Sequence, residues 1–182
     1  MNDFTIYNIQ SAPEAAKPLL EGSVKDFGMV PNLHGVMAAS PALLEGYKKL
    51  HELAQQTSFD ADELTVVWMA INVEHECHYC VPAHTAIAKS MGVSDDLIED
   101  LRNQTPISDL KLEALREATL ALLRQRGVVN DTDLTNFFNA GYGQQQLLDI
   151  ILILSQKVMS NYVNHLAHTP VDAPFNKFAW NK

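Results

Sequence analysis

Residues 63–101 read ELTVVWMAINVEHECHYCVPAHTAIAKSMGVSDDLIEDL, and the fold turns on how this stretch divides. Leu64, Val67, Trp68 and Ile71 recur at helical spacing, as apolar residues do on the core-facing side of a helix. The pattern breaks in EHECHYCVPAH, residues 74–84, which holds the chain's only two cysteines, Cys77 and Cys80. Proline lacks an N–H and is tolerated in a helix only near its first turn, so Pro82 predicts a new helix beginning near Cys80. Gly92 reads as the stop of that helix and Ser94 as the N-cap of the next.

Outward from this block the punctuation repeats. Pro31-Asn32 and Ser40-Pro41 mark helix entries, Gly127 marks a stop, and Asn130 or Asp131 offers a further cap. Apolar stripes at helical spacing run through Leu43, Leu44, Tyr47 and Leu50, through Leu112, Leu115, Leu122 and Leu123, and through Leu147, Ile151, Leu154 and Val158. These signals predict an all-α chain with helices near 13–27, 32–39, 41–57, 61–75, 80–91, 94–103, 108–126, 131–140 and 143–167. Period-two alternation is confined to Phe4–Ile9. From Thr169 the chain reads TPVDAP and is expected to be irregular, yet it carries Phe175, Phe178 and Trp180. Such aromatics are costly to leave in water, so the tail is expected to dock on its own core or on a neighbouring subunit.

Composition narrows the function classes. A chain of 182 residues, 47% apolar and 19% charged, has the material for one globular domain, here residues 1–182 with the motif core at about 41–126. Its net charge of -9, with no Lys/Arg cluster, would repel a phosphate backbone and argues against nucleic acid as a partner. The opening MNDFTIYNIQSAPEAAK lacks the basic start and apolar run of a secretory leader. The longest apolar tract, Ile150 to Leu154, falls far short of the roughly 20 residues a bilayer requires, so no membrane association is expected. A cytoplasmic location follows as the expectation, and in a reducing compartment a close cysteine pair is more often catalytic or metal-binding than a permanent crosslink.

Three readings of the pair remain open. The cysteines could be inert core residues. They could join His84 and either His75 or His78 as a zinc site, although a second knuckle at suitable spacing exists only in His165 and His168. The third reading uses every part of the motif. Cys80 stands where the positive end of a helix favours thiolate, a two-residue spacer lets a disulfide close, and His84 follows one turn later. If helical geometry extended back to Cys77, then Cys77, Cys80 and His84 would share one face.

The block 63–101, with its C-x-x-C-x-x-x-H signature, resembles the alkylhydroperoxidase D-like (AhpD-like) branch of the carboxymuconolactone decarboxylase family. FGMVPNLHGVMAASPALLEGYKKL before it, and the long last helix running into NYVNHLAHTPVD, resemble the longer peroxidase-related members. The resemblance implies an AhpD-like all-helical fold, assembly as trimers or hexamers, and a thiol-dependent peroxidase or disulfide-reductase activity served by an external thiol donor. It makes Cys80 the residue that attacks a hydroperoxide, Cys77 the resolving cysteine and His84 the proton relay, with no cofactor. Where the best-studied branch has a relay glutamate this chain has Thr65, and where that branch has a histidine before the second cysteine it has Tyr79. Glu74, or failing it Glu63, is expected to replace the missing carboxylate. The decarboxylase branch typically lacks the cysteine pair, and its activity is not carried over. A zinc-stabilised helical module and a redox-sensing scaffold are the alternatives.

Elsewhere the residues read more plainly. Asn161, Asn164, His165 and His168 sit at one-turn spacing near the end of the last helix, where they can line a pocket or merely cap it. His34 and His51 are expected at the surface or an interface, and Trp68, Met69 and Ile71 in the core. No phosphate-cradling glycine loop is present. The apolar last helix and the aromatic tail predict a homo-oligomer.

Overall fold

The computed structural model describes residues 4–181, and among them every regular element is helical. The helices are α1 (Lys17–Phe27), α2 (Asn32–Met37), α3 (Pro41–Ala54), α4 (Ala61–Glu74), α5 (Cys80–Ser90), α6 (Asp95–Asn103), α7 (Leu110–Arg124), α8 (Asp131–Asn139) and α9 (Gln144–Ala167). A 3-10 turn, Glu14–Ala16, leads into α1. Helix ends fall where local chemistry puts them. Ser94 and Asn130 cap α6 and α8 by accepting from the backbone N–H groups of Leu97 and Asp133, satisfying donors that a helix start leaves unpaired. Asp60 and Glu63 form a reciprocal capping box on α4.

α4 is the hub. Residues Glu63 to Val73 are all buried, and the helix packs against α5, α6, α7 and α9. Trp68, Met69 and Ile71 lie in this core at 2% exposure or less. The N-terminal helices build a second cluster from Leu20, Leu33, Met37, Leu44 and Tyr47, and Cys77, Tyr79 and Cys80 belong to it. The cysteine motif therefore sits on the seam between the two clusters. None of the helices is long and apolar enough to cross a membrane.

The tail docks on the chain itself. A 3-10 turn, Ala173–Phe178, replaces part of the expected irregular stretch. Arg102 donates to the carbonyls of Phe178 and Ala179, and the Trp180 indole donates back to the Arg102 carbonyl at 3.1 Å. Asp172 accepts from the Asn32 N–H and the Tyr79 hydroxyl, tying the tail to the start of α2 and to the cysteine motif.

A chain of ring contacts crosses the seam: Phe27 to His34, His34 to Tyr47, Tyr47 to His51, His51 to Trp68, and Trp68 to His84. In place of the surface or interface position expected for it, His34 is buried within the chain at 5% exposure, with Nδ1 on the Ser23 hydroxyl. His51 is half-buried beneath the α3–α9 contact, where Gln156 meets its Nδ1. A lone histidine in a sequence carries no mark of burial, which is why neither was assigned to the interior.

Burial holds all three histidines of this chain of rings neutral. It pushes His34 down to about 3, with Lys48 and His51 adding to the effect. It pushes His51 down to about 4, with Lys157 next in weight, and His84 well below the usual imidazole range, again with Lys157 second. In the unfolded chain the same residues take up protons below about pH 6.5 while the folded chain resists, so the unfolded state binds more protons and stability drops as the pH is lowered. Urea unfolding followed from pH 7 downward is expected to show stability lost from about pH 6.5 toward 4, at up to about 4 kcal/mol per pH unit when all three take part. The His34→Gln variant should lose about a third of that slope; a midpoint flat to pH 4.5 would show that these rings are not buried neutral.

Candidate active site

α4 ends at Glu74, and Glu76 turns the chain with a left-handed backbone, φ 52°, so that Cys77 re-enters the protein beneath α5. Helix α5 starts at Cys80, as Pro82 requires. Cys77 lies in the turn before the helix, not on its face, which corrects the one-face geometry considered from the sequence. Its carbonyl accepts from the Val81 N–H, and its sulfur accepts from the Cys80 N–H at 3.3 Å. Cys77 thus takes up one of the donors that the helix start leaves unpaired, which brings its sulfur over the first turn where Cys80 stands. The turn is pinned from behind by a polar chain: the Cys77 N–H donates to the Asn72 carbonyl, Asn161 Nδ2 to Asn72 Oδ1 at 3.0 Å, and His75 Nδ1 meets Asn161 Oδ1 at 2.8 Å.

The facing wall is α9, and here the structure adds what the sequence reading missed. Gln156, Lys157, Ser160, Asn161 and Asn164 form a buried stripe. Lys157 is fully buried and its ammonium lies 2.8 Å from His84 Nε2. Asn164 Nδ2 donates to Cys80 Sγ at 3.3 Å and reaches toward Cys77 Sγ at 3.9 Å. Of the α9 residues considered from the sequence, Asn164 is the one on the sulfurs, while His165 and His168 are exposed farther out. The signal for Lys157 was there to be read: polar residues at spacings of one and three inside an apolar helix mark an inward polar face.

This wall sets the sulfur chemistry. Burial alone would raise the Cys80 thiol, but a hydrogen bond from Cys77, the charge of Lys157, and hydrogen bonds from Ser160 and Asn164 outweigh it and lower the thiol below its usual range. Cys77 moves the other way, raised first by its hydrogen bond to Cys80 and then by burial. The pair is thus arranged as a thiolate at Cys80 held by a thiol at Cys77, and both are free cysteines. Burial lowers Lys157, and the sulfurs' negative charge opposes that. With Nε2 accepting from Lys157, neutral His84 carries its proton on Nδ1, a buried atom with no partner among the described residues.

Glu74 and Glu63, the two carboxylates considered for the relay, each meet a cation. Both oxygens of Glu74 accept from Arg124 at 2.7 Å on the outer side of the motif. Glu63 accepts from Lys111 and belongs to the first turn of α4, eleven residues or about 16 Å of helix from Glu74. For zinc, His75 is held by Asn161, and His78 Nδ1 faces the Trp180 carbonyl at 3.2 Å. Among the described residues no three His, Cys, Asp or Glu side chains converge to hold a metal ion.

Cys80 opens on an inner cavity of about 80 Å³ walled by Leu33, Ala83, Ile87 and Phe175, with His84 and Lys157 at its edge. Phe27, His34, Tyr47 and His51 also border a neighbouring depression of about 680 Å³, so the two spaces share these four rings. A second hollow, of about 410 Å³, touches Cys77 from the other side. Tyr79 stands between them and lines both, its hydroxyl accepting from the Leu33 N–H and donating to Asp172.

Comparisons with known proteins agree with this architecture. No curated protein matches the sequence at a significant level. The fold is similar to that of the alkylhydroperoxidase AhpD core of an uncharacterized peroxidase-related protein from Ralstonia eutropha JMP134, with a TM-score of 0.82 and 18% identity over 96% of both chains. It is similar also to a peroxidase-related protein from Silicibacter sp. TM1040, with a TM-score of 0.79 and 16% identity over 96% of both chains. The debrominase Bmp8 in complex with 2,3,4-tribromopyrrole superposes with a TM-score of 0.73 and 16% identity, over 96% of this chain and 94% of that one. Residues 41–127, from the start of α3 to just past the end of α7, match the model of the carboxymuconolactone decarboxylase family, and with the helices around them they complete an AhpD-like fold.

Proposed function

We propose that the chain is a thiol-dependent peroxidase that reduces organic hydroperoxides through Cys77 and Cys80. The observation that carries this reading is the pairing of a thiolate-favouring Cys80 with a buried Lys157–His84 pair at the edge of an apolar cavity. The Cys80 thiolate attacks the outer oxygen, the O–O bond breaks as the S–O bond forms, and the alkoxide takes a proton from His84 Nδ1, which Lys157 can replenish through Nε2. Lys157 then serves where the relay glutamate is absent. The cavity's apolar wall suits an organic substituent on the oxidant.

Resolution follows from the same electrostatics. Cys77 is held as a thiol by its bond to the Cys80 charge. Once Cys80 is a neutral sulfenic acid that charge is gone, Cys77 can lose its proton, and its sulfur displaces hydroxide to form the disulfide. The two thiols supply the two electrons, and an external thiol donor restores them. Glu74, at the end of α4 and paired with Arg124 of α7, holds the turn that leads into Cys77.

A second electrophile is favoured by one observation: rings of Phe27, His34, Tyr47, His51, His84 and Phe175 surround the approach to Cys80. A bromine on a planar ring fits such a lining. Attack of the thiolate on bromine would release a ring carbanion for protonation, and Cys77 would displace bromide, giving the same disulfide.

A cytoplasmic homo-oligomer, trimer or hexamer, is part of this proposal; Leu148, Ile151, Tyr162 and Leu166 line an exposed stripe of α9 that a second copy could cover.

Free-thiol counting after an organic hydroperoxide or a bromopyrrole is added to reduced protein tells the substrates apart, and thiols untouched by both would defeat either reading. Cys80→Ser is expected to abolish turnover and Cys77→Ser to leave a sulfenic acid on Cys80. In the Cys77→Ser background, Lys157→Met should raise the midpoint of Cys80 alkylation by a pH unit or more and slow oxidation at pH 7 about 10-fold. Because Cys80 can take up a proton once the lysine is gone, the Lys157→Met protein leaves no uncompensated charge and is expected to keep its stability; one that unfolds more easily while its Cys80 midpoint is unmoved would mark the lysine as structural instead. Sedimentation at micromolar concentration is expected to show an oligomer, and monomer alone would exclude one.

A further inference from the structure

The hollow on the Cys77 side is not used by the oxidative half of the cycle. It is lined by Cys77, His78, Asn164, His165, His168 and Thr169, with Tyr79 as the partition, whereas Cys80 lines only the opposite cavity. Its floor holds two polar atoms without partners among the described residues, Asn164 Oδ1 and Thr169 Oγ1, on side chains 4% and 8% exposed. Buried polar atoms of this kind ordinarily find a partner, and the Asn164 side chain also reaches the Cys77 sulfur, through Nδ2 at 3.9 Å. The rim is imidazole, and the volume, about 410 Å³, is that of a small-molecule site.

We propose that this hollow is the docking site of the reductant, and that the reductant it fits is a low-molecular-weight thiol bearing an amide group near its sulfur. The proposal rests on the dithiol cycle above and names the partner that closes it. The amide N–H donates to Asn164 Oδ1, the Thr169 hydroxyl pairs with the amide carbonyl, and a rim imidazole takes the thiol proton. The thiolate attacks Cys77 Sγ. The Cys77–Cys80 bond breaks, its electron pair goes to Cys80 Sγ, and a mixed disulfide is left on Cys77. A second thiol attacks the reductant's sulfur, releases the reductant disulfide and returns Cys77 as a thiol. Two thiols lose two electrons and the protein disulfide gains them. The direction of attack has a reason beyond access: the better leaving sulfur is the one that Lys157 and Asn164 stabilise as a thiolate.

The test forms the disulfide with diamide, so it does not depend on hydroperoxide chemistry. Oxidised protein is mixed with N-acetylcysteamine or with 2-mercaptoethanol, which lacks the amide, and samples are acid-quenched, alkylated and mapped by mass spectrometry. The adduct is expected on Cys77, with N-acetylcysteamine about 10-fold faster, as two modest hydrogen bonds would give. Thr169→Val should cut that preference to about 3-fold, and Thr169→Ser, which keeps the hydroxyl, should restore it. An adduct on Cys80, or equal rates for the two thiols, overturns the proposal while leaving the peroxidase reading intact. Failure of diamide to join Cys77 and Cys80 overturns the dithiol cycle itself and this site with it.

Discussion

A lysine ammonium with no exposed surface must be paid for by its neighbours, and the rest of the site follows from that constraint. A lone charge in the interior is expensive, so Lys157 needs negative charge and hydrogen-bond acceptors within reach. The sulfur pair supplies the first and His84 Nε2 supplies the second. Each partner is changed in turn: Cys80 is drawn toward thiolate, Cys77 is held back as its donor, and His84 is kept neutral with its remaining proton turned away from the lysine. A buried cation beside the sulfurs thus sets the electrostatics of the motif without altering its spacing.

Tyr79 gives the site its second organising feature. Standing between the two cysteines, it is clamped by Asp172 and the Leu33 N–H and so keeps one sulfur facing an apolar cavity and the other a polar hollow. A histidine at this place would add a titrating group; the tyrosine adds a rigid wall, since burial and the Asp172 carboxylate push its hydroxyl well above the ordinary range.

The helical framework was legible because its signals are local. Pro82 fixed the start of α5, and Ser94 and Asn130 cap the helices they precede. Side-chain facing was harder where binary patterning breaks. On α9 the apolar stripe through Ile151 and Val158 suggested one inward face, but Ile151 is 46% exposed while Gln156, Lys157 and Ser160 point to the core. A helix that buries its polar residues inverts the rule by which faces are assigned, so its inward face has to be read from the polar spacing and not from the apolar stripe. Glu74 shows a complementary limit: its nearness in sequence to the dithiol carries no sign of the long-range arginine, Arg124 on α7, that pairs with both its oxygens.

The last stretch of the chain reaches the sulfur pair from both sides. Phe175 closes the apolar cavity, Thr169 floors the polar hollow, and the Trp180 carbonyl faces the imidazole of His78. None of these positions belongs to the cysteine signature or to the matched segment 41–127. Drift in this segment alone could therefore retune what enters each chamber while every residue of the signature stays unchanged, so two proteins sharing the signature letter for letter need not share a diet.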